Sequence, residues 1–225
     1  MRESKGKVTP SPASLTPPVG DVWAPRASRV EIVIGGSREP MKRVTEREGW
    51  WSTSHALPPG TRYAFSIDGG VPLPDPRSLH QPDGVHDSSA VIDPAIFTDR
   101  PAWGGLDVRG GIGYELHVGT FTPEGTFDAA IAKLDQLAEL GIDYVEVMPV
   151  AAFPGRWGWG YDGVGLYAVH APYGGPAAFI RFIDAAHARG LGVMLDVVHN
   201  HLGPEGNYLG QFGPYFTSRH HTPWG

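Results

Sequence analysis

An apolar run from Val193 to Val198 holds one acid, Asp196, and then opens into His199-Asn200-His201 and a Gly/Pro loop. A carboxylate taken into an apolar strand costs on the order of several kcal/mol unless it is paired. Asp196 therefore needs a cationic or multiple-donor partner. An imidazole such as His201 can donate to a hydroxyl and hold it more tightly as charge develops. His199 and His201, at alternate positions of a strand, also point the same way and could share a zinc ion. Against zinc, His170, His187, His220 and His221 stand at no ligand spacing. A second stretch, Trp157-Gly158-Trp159-Gly160-Tyr161-Asp162, sets aromatic rings between glycines. Aromatic faces so placed make open platforms of the kind on which sugar rings stack.

These groups need a scaffold, and the pattern after about residue 110 supplies one. Ile112–Val118 and Tyr144–Met148 are predicted strands, and Pro149 ends the second. Thr126 can cap a helix with Phe127, Ile131, Leu134 and Leu137/Ala138 on its apolar face, stopped by Gly141. Residues 150–175 are predicted as a long loop. Pro176 suits the first turn of a second helix with Phe179, Ile180, Ile183 and Ala186 on one face, ended by Gly190. The run from Val193 is the third strand. Strand-helix-strand-helix-strand with apolar strands predicts a parallel sheet covered by helices. In such folds the chemistry gathers at the carboxyl ends of strands, where His199, Asn200, His201, Tyr161 and Asp162 all fall.

The N-terminal part follows another rule. Residues 1–20 are Pro/Ser-rich and predict a flexible tail. Val30, Ile32 and Ile34, then Tyr63, Phe65 and Ile67, recur at period two, the second run stopping at Asp68-Gly69-Gly70. Residues 21–100 are thus expected to form a β-sandwich with a long connecting loop, and residues 101–225 the β/α part.

Bulk properties narrow the partners. The net charge of -6 argues against nucleic acid, and the lack of cysteine removes disulfides and thiolate metal sites. No apolar run reaches membrane-span length and the N-terminus lacks a signal-peptide core, so no membrane partner is expected and the cytoplasm is the expected location.

Asp196-Val197-Val198-His199-Asn200-His201 resembles the first sequence signature of the α-amylase superfamily, glycoside hydrolase family 13, at the end of barrel strand three. Gly160–Gly175 resembles that family's loop after strand two. Longer stretches are similar to the trehalose-releasing branch, the maltooligosyltrehalose trehalohydrolases: Tyr114–Phe127, Phe153–Val164, Gly203–Leu209, Thr222–Gly225, Trp23–Ile34 and Pro82–Asp93. His199 stands where that branch usually has Tyr.

The resemblance implies a multi-domain chain: an immunoglobulin-like β-sandwich, then an incomplete (β/α)8 TIM barrel of about three βα units. It implies hydrolysis of the α-1,4 bond next to the terminal trehalose of maltooligosyl-trehalose by a retaining mechanism. It implies Tyr161 stacking under a glucosyl ring and His201 bonding to that sugar; Trp157 and Trp159 are left between packing the loop and lining the cleft, with Trp159 taken as a sugar-binding candidate. Trp23, Trp50 and Trp51 lie in the sandwich and could bind glucan or pack against the barrel, and packing is the expectation. Asp162 is left between sugar binding and holding the loop. Asp196 is implied to orient neighbouring side chains, and Asn200 to bond loop backbone rather than calcium. No metal and no cofactor are expected. The family's Asp nucleophile, Glu acid/base and sugar-gripping Asp are expected beyond residue 225, so no catalytic residue is assigned here and the chain alone is expected to be inactive. Alternatives are a branching or debranching enzyme, a non-catalytic glucan-binding fragment, and a metal-dependent barrel hydrolase. An unpaired parallel edge strand is also expected to limit the solubility of the isolated chain.

Overall fold

Period-two runs can send every second side chain into a core, and the N-terminal runs do so as antiparallel strands. The computed structural model describes residues 18–220 except residue 99. Residues 1–17 of the expected tail, His221 and the closing Thr222–Gly225 lie outside the described residues. The first strands are β1 (Val22–Trp23), β2 (Val30–Ile34), β3 (Ser37–Pro40), β4 (Lys42–Arg43), β5 (Trp50–Ser52), β6 (Arg62–Ile67) and β7 (Ser89–Ala90). They make two sheets, β3-β2-β6-β7 and β1-β5-β4, with every pairing antiparallel. Both sheets feed one core built from Val22, Val30, Ile32, Trp51, Tyr63 and Phe65. Trp51 is buried and its indole N–H donates to the Ala24 carbonyl at 3.0 Å. Trp50 and Trp23 are half-buried, Trp50 under the guanidinium groups of Arg47 and Arg77 and Trp23 edge-on to Tyr215. The Tyr63 hydroxyl donates to the buried Asp75 carboxyl at 2.7 Å, and burial pushes the Asp75 pKa up.

A short helix, α1 (Ala95–Thr98), precedes the second half. There the order is β8 (Gly113–Leu116), α2 (Val118–Phe121), α3 (Phe127–Ile131), α4 (Leu134–Glu139), β9 (Tyr144–Val147), β10 (Ala151–Ala152), β11 (Gly165–Val169), a 3-10 turn (Ala171–Tyr173), α5 (Gly175–His187), β12 (Gly192–Leu195) and α6 (Leu209–Phe212). Strands β12-β9-β8 form the expected parallel sheet, with Tyr144 in register with both Gly113 and Gly192. Leu116, Val145, Val147 and Val193 face the helices, where Phe127, Leu134, Ala178, Phe182 and Ala186 fill the core. Glu115, Glu146 and Met194, in mutual register, occupy the other face.

Several elements depart from the sequence pattern. The helix expected from Phe127 to Ala138 is two segments, because the N–H groups of Ala132 and Lys133 turn to Ala129 and Ala130, three residues back. Thr126 caps the first as expected, its hydroxyl accepting from the Ala129 N–H at 3.2 Å. The expected loop 150–175 contains the β10–β11 hairpin and the 3-10 turn. On α5 the fully buried stripe is Ala178, Phe182 and Ala186, so Phe182 replaces Ile180 and Ile183 as the core residue.

The third strand stops at Leu195, and Asp196 lies one residue past its end rather than in its middle. Its N–H still donates to the Val147 carbonyl at 2.9 Å, which keeps the carboxylate aligned with β9 on the rim. The two halves interlock through α6: Phe212 sits in the N-terminal core, edge-on to Phe65. Truncating Phe182 to Ala is expected to destabilise the parallel half by about 3–5 kcal/mol, since its ring is fully buried against Phe127. Denaturant titration would register the loss, and an unchanged midpoint would show that this contact does not hold α5 down.

Candidate functional site

At the carboxyl ends of β9 and β12 the chain gathers Tyr161, Asp196, Asn200 and His201. The Tyr161 hydroxyl donates to Asp196 Oδ2 at 2.9 Å. Asp196 was expected to need a cation or several donors; the partner found is the single donor of this phenol, and the acid is half-buried rather than buried, so one strong hydrogen bond and water suffice. The same bond holds the Tyr161 pKa above its ordinary value, helped by burial and by the negative charges of Asp196, Glu115 and Glu146. The phenol therefore stays protonated as a donor to the carboxylate.

His201 grips the other end of the same residue. Its Nε2 lies 2.8 Å from the Tyr161 carbonyl oxygen. A carbonyl only accepts, so the proton is on Nε2 and Nδ1 is bare. Asn200 Nδ2 donates to that Nδ1 at 3.0 Å. Asn200 thus bonds a ring nitrogen, where loop backbone was expected, because the tautomer set by Tyr161 leaves an acceptor beside the amide. The chain Asn200–His201–Tyr161–Asp196 fixes the Tyr161 ring by both its backbone and its hydroxyl. The ring remains 38% exposed.

Trp157 and Trp159 stand farther out, 70% and 69% exposed, and the Arg156 guanidinium lies 5.0 Å from the Trp157 ring centre. Asp162 is exposed beside Tyr161, and its backbone backs onto Gly203, where an added Cβ would come 2.3 Å from the Asp162 carbonyl. His199 lines a cavity of about 190 Å³ with Pro149, Gly160, Phe179 and Leu195. Among the described residues no group of three His, Cys, Asp or Glu side chains is arranged to hold a metal. No helix among them is long and apolar enough to cross a membrane.

Sequence reasoning gave no structural role to three histidines, of which only His170 was considered, and then only as a metal ligand. His86 reaches Tyr208 (2.6 Å) and Glu205 (3.2 Å) and ties the linker to the loop after β12. His170 is buried, stacked on Phe153 at 3.6 Å, and burial lowers its pKa to about 4. His117 follows β8 directly, a position where a polar residue is a signal in a parallel fold.

A family model for the alpha amylase catalytic domain matches residues 76–218, more than half of the chain. The chain belongs to the α-amylase family. Within it, the chain is 52% identical over 208 residues to the malto-oligosyltrehalose trehalohydrolase of Arthrobacter ramosus. It is 54% identical over 210 residues to that of Mycobacterium tuberculosis (strain ATCC 25618 / H37Rv). Each alignment covers 91% of this chain and 36% of the relative. A crystal structure of an amylase-type protein from Salmonella typhimurium matches with a TM-score of 0.85 at 48% identity, over 91% of this chain and 35% of that one. This α-amylase family chain thus spans about a third of the length of these relatives.

The buried His170 is expected to make the site scaffold acid-sensitive. Its folded pKa, about 4, lies below the ordinary histidine value of 6.5, so the unfolded chain binds the extra proton between those values. Stability is therefore expected to fall as pH drops from 6.5 to 4, by up to about 3 kcal/mol at 1.36 kcal/mol per unit. In His170→Gln this component should vanish. Melting curves across that range would test it, and equal acid sensitivity in both proteins would refute it.

Proposed function

We propose that this chain is the sugar-holding portion of a maltooligosyltrehalose trehalohydrolase. The observation that carries the reading is the Tyr161 ring, held at its carbonyl by His201 and at its hydroxyl by Asp196, beside the exposed Trp157 and Trp159. A fixed, half-open ring next to two exposed indoles matches what a glucan needs: flat apolar faces with few orienting polar groups. The names of the relatives support trehalohydrolase as the activity, and malto-oligosyl chains ending in trehalose as the substrate class. In this reading the two N-terminal sheets are an immunoglobulin-like module, about residues 21–100, and β8, β9 and β12 are the first strands of a (β/α)8 barrel. The parallel sheet with chemistry at its carboxyl rim supports this.

The reaction assigned is retaining cleavage of the α-1,4 bond that joins trehalose to the glucan. A carboxylate attacks the anomeric carbon, a carboxylic acid protonates the departing trehalose oxygen, and water then releases the glucan. We assign both carboxyl groups to later barrel strands. Glu115 and Glu146 face each other in register but lie inside their strands, one residue short of the ends. Asp196 is engaged by Tyr161 and orients it. The work of this chain is then to seat and orient the sugar: Tyr161 stacks under one glucosyl ring, Trp159 lines the cleft, and Asp162 and His201 flank it.

Titration of the chain with maltooligosyl-trehalose should show binding without trehalose release. Tyr161→Ala should weaken it by about tenfold or more, the loss of one stacking platform. An unaltered affinity in that variant would sink the reading. One tight equivalent of zinc lost on substituting His199 would favour the metal-dependent alternative instead.

A further inference from the structure

In Trp157-Gly158-Trp159-Gly160-Tyr161 rings and glycines alternate, and the structure anchors the segment at its glycines. Gly160 has φ +87°, and an added Cβ there would come 2.1 Å from the Pro149 carbonyl oxygen. At Gly158 a Cβ would come 2.8 Å from the Phe153 ring. The bare Gly158 backbone instead lets its carbonyl oxygen meet two donors: His117 Nε2 at 2.9 Å and the Tyr173 hydroxyl at 3.2 Å. The two donors are themselves 3.1 Å apart. Since the carbonyl only accepts, His117 carries a proton on Nε2, and its Nδ1 is held by the Thr120 hydroxyl at 2.8 Å. Burial raises the Tyr173 phenol to about 12, so it remains a donor.

The outcome is a loop fixed from beneath while Trp157 and Trp159 hold large apolar faces in water. Exposed indoles on an anchored backbone are the mark of a contact surface. We propose that His117, seconded by Tyr173, is a positioning residue: through the Gly158 carbonyl it holds Trp157 and Trp159 as a preformed rail for glucosyl units beyond the one on Tyr161. The rail sets the preference for longer glucan chains. This rests on the sugar-holding reading above. An unanchored loop would have to be ordered during binding, and that entropy would be subtracted from the affinity for every sugar unit the rail touches. Sugars short enough to touch Tyr161 alone would not feel it.

The test is the affinity of the 225-residue chain for maltoheptaose against maltose, read by tryptophan fluorescence. His117→Ala should lower maltoheptaose affinity about tenfold, the cost of ordering two indoles, and leave maltose affinity within a factor of about two. His117→Gln, whose amide N–H can reach the same carbonyl, should restore most of the chain-length preference, and Tyr173→Phe should lose part of it. Equal loss for both sugars would mean a merely structural role and overturn the proposal, as would an unchanged preference in His117→Ala. A parent chain that binds neither sugar would overturn the sugar-holding reading itself.

Discussion

The hydrogen bond between the Tyr161 hydroxyl and the Asp196 carboxylate is the constraint from which the site follows. It joins the loop after β9 to the end of β12, residues 35 apart in sequence. It forms only because β12 lies parallel to β9 in a fixed register, with the Asp196 N–H still on the Val147 carbonyl after the strand proper has ended. A shift of one residue would turn Asp196 to the helix-covered face, because side chains alternate across a sheet. The apolar register partners Val145, Val147 and Val193, packed against α3 and α5, are what exclude that shift. The core of the parallel half and the geometry at its rim are thus one arrangement.

Around that bond the rim is organised by backbone carbonyls of the aromatic loop. Tyr161 gives its carbonyl to His201, and Gly158 gives its own to His117 and Tyr173. The donors come from the ends of β8 and β12 and from the turn before α5, so loops from three βα units converge on one segment. Imidazoles suit this work, because each carries two ring nitrogens that can be bonded at once, and here both are used. The loop can then present its rings to solvent without being loose.

The N-terminal half is tied to this rim rather than merely preceding it. Phe212 fills a place in its core, Tyr215 packs on Trp23, and His86 bonds Tyr208 and Glu205. The segment after β12 therefore runs back over the first sheets. On the helix side, Arg181 with Asp128 and Arg189 with Asp135 make paired hydrogen bonds from the region of α5 to α3 and α4. These ion pairs are exposed and contribute little beside the buried phenylalanines.

The order of residues determined the element types: period-two runs for β2 and β6, apolar strands separated by amphipathic helices for β8, β9 and β12, and the Thr126 cap. It also placed Tyr161 and the His199–His201 cluster at one end of the sheet, since that follows from strand direction alone. Chain order left open that Asp196 bonds Tyr161 rather than a cation, that Asn200 turns to a ring nitrogen, that residues 151–169 fold into a hairpin, and that His117 reaches the Gly158 carbonyl 41 residues away. Tertiary structure decided these, because each depends on register and loop path between distant segments, where a hydrogen bond forms or fails within about half an ångström and no local periodicity carries the information.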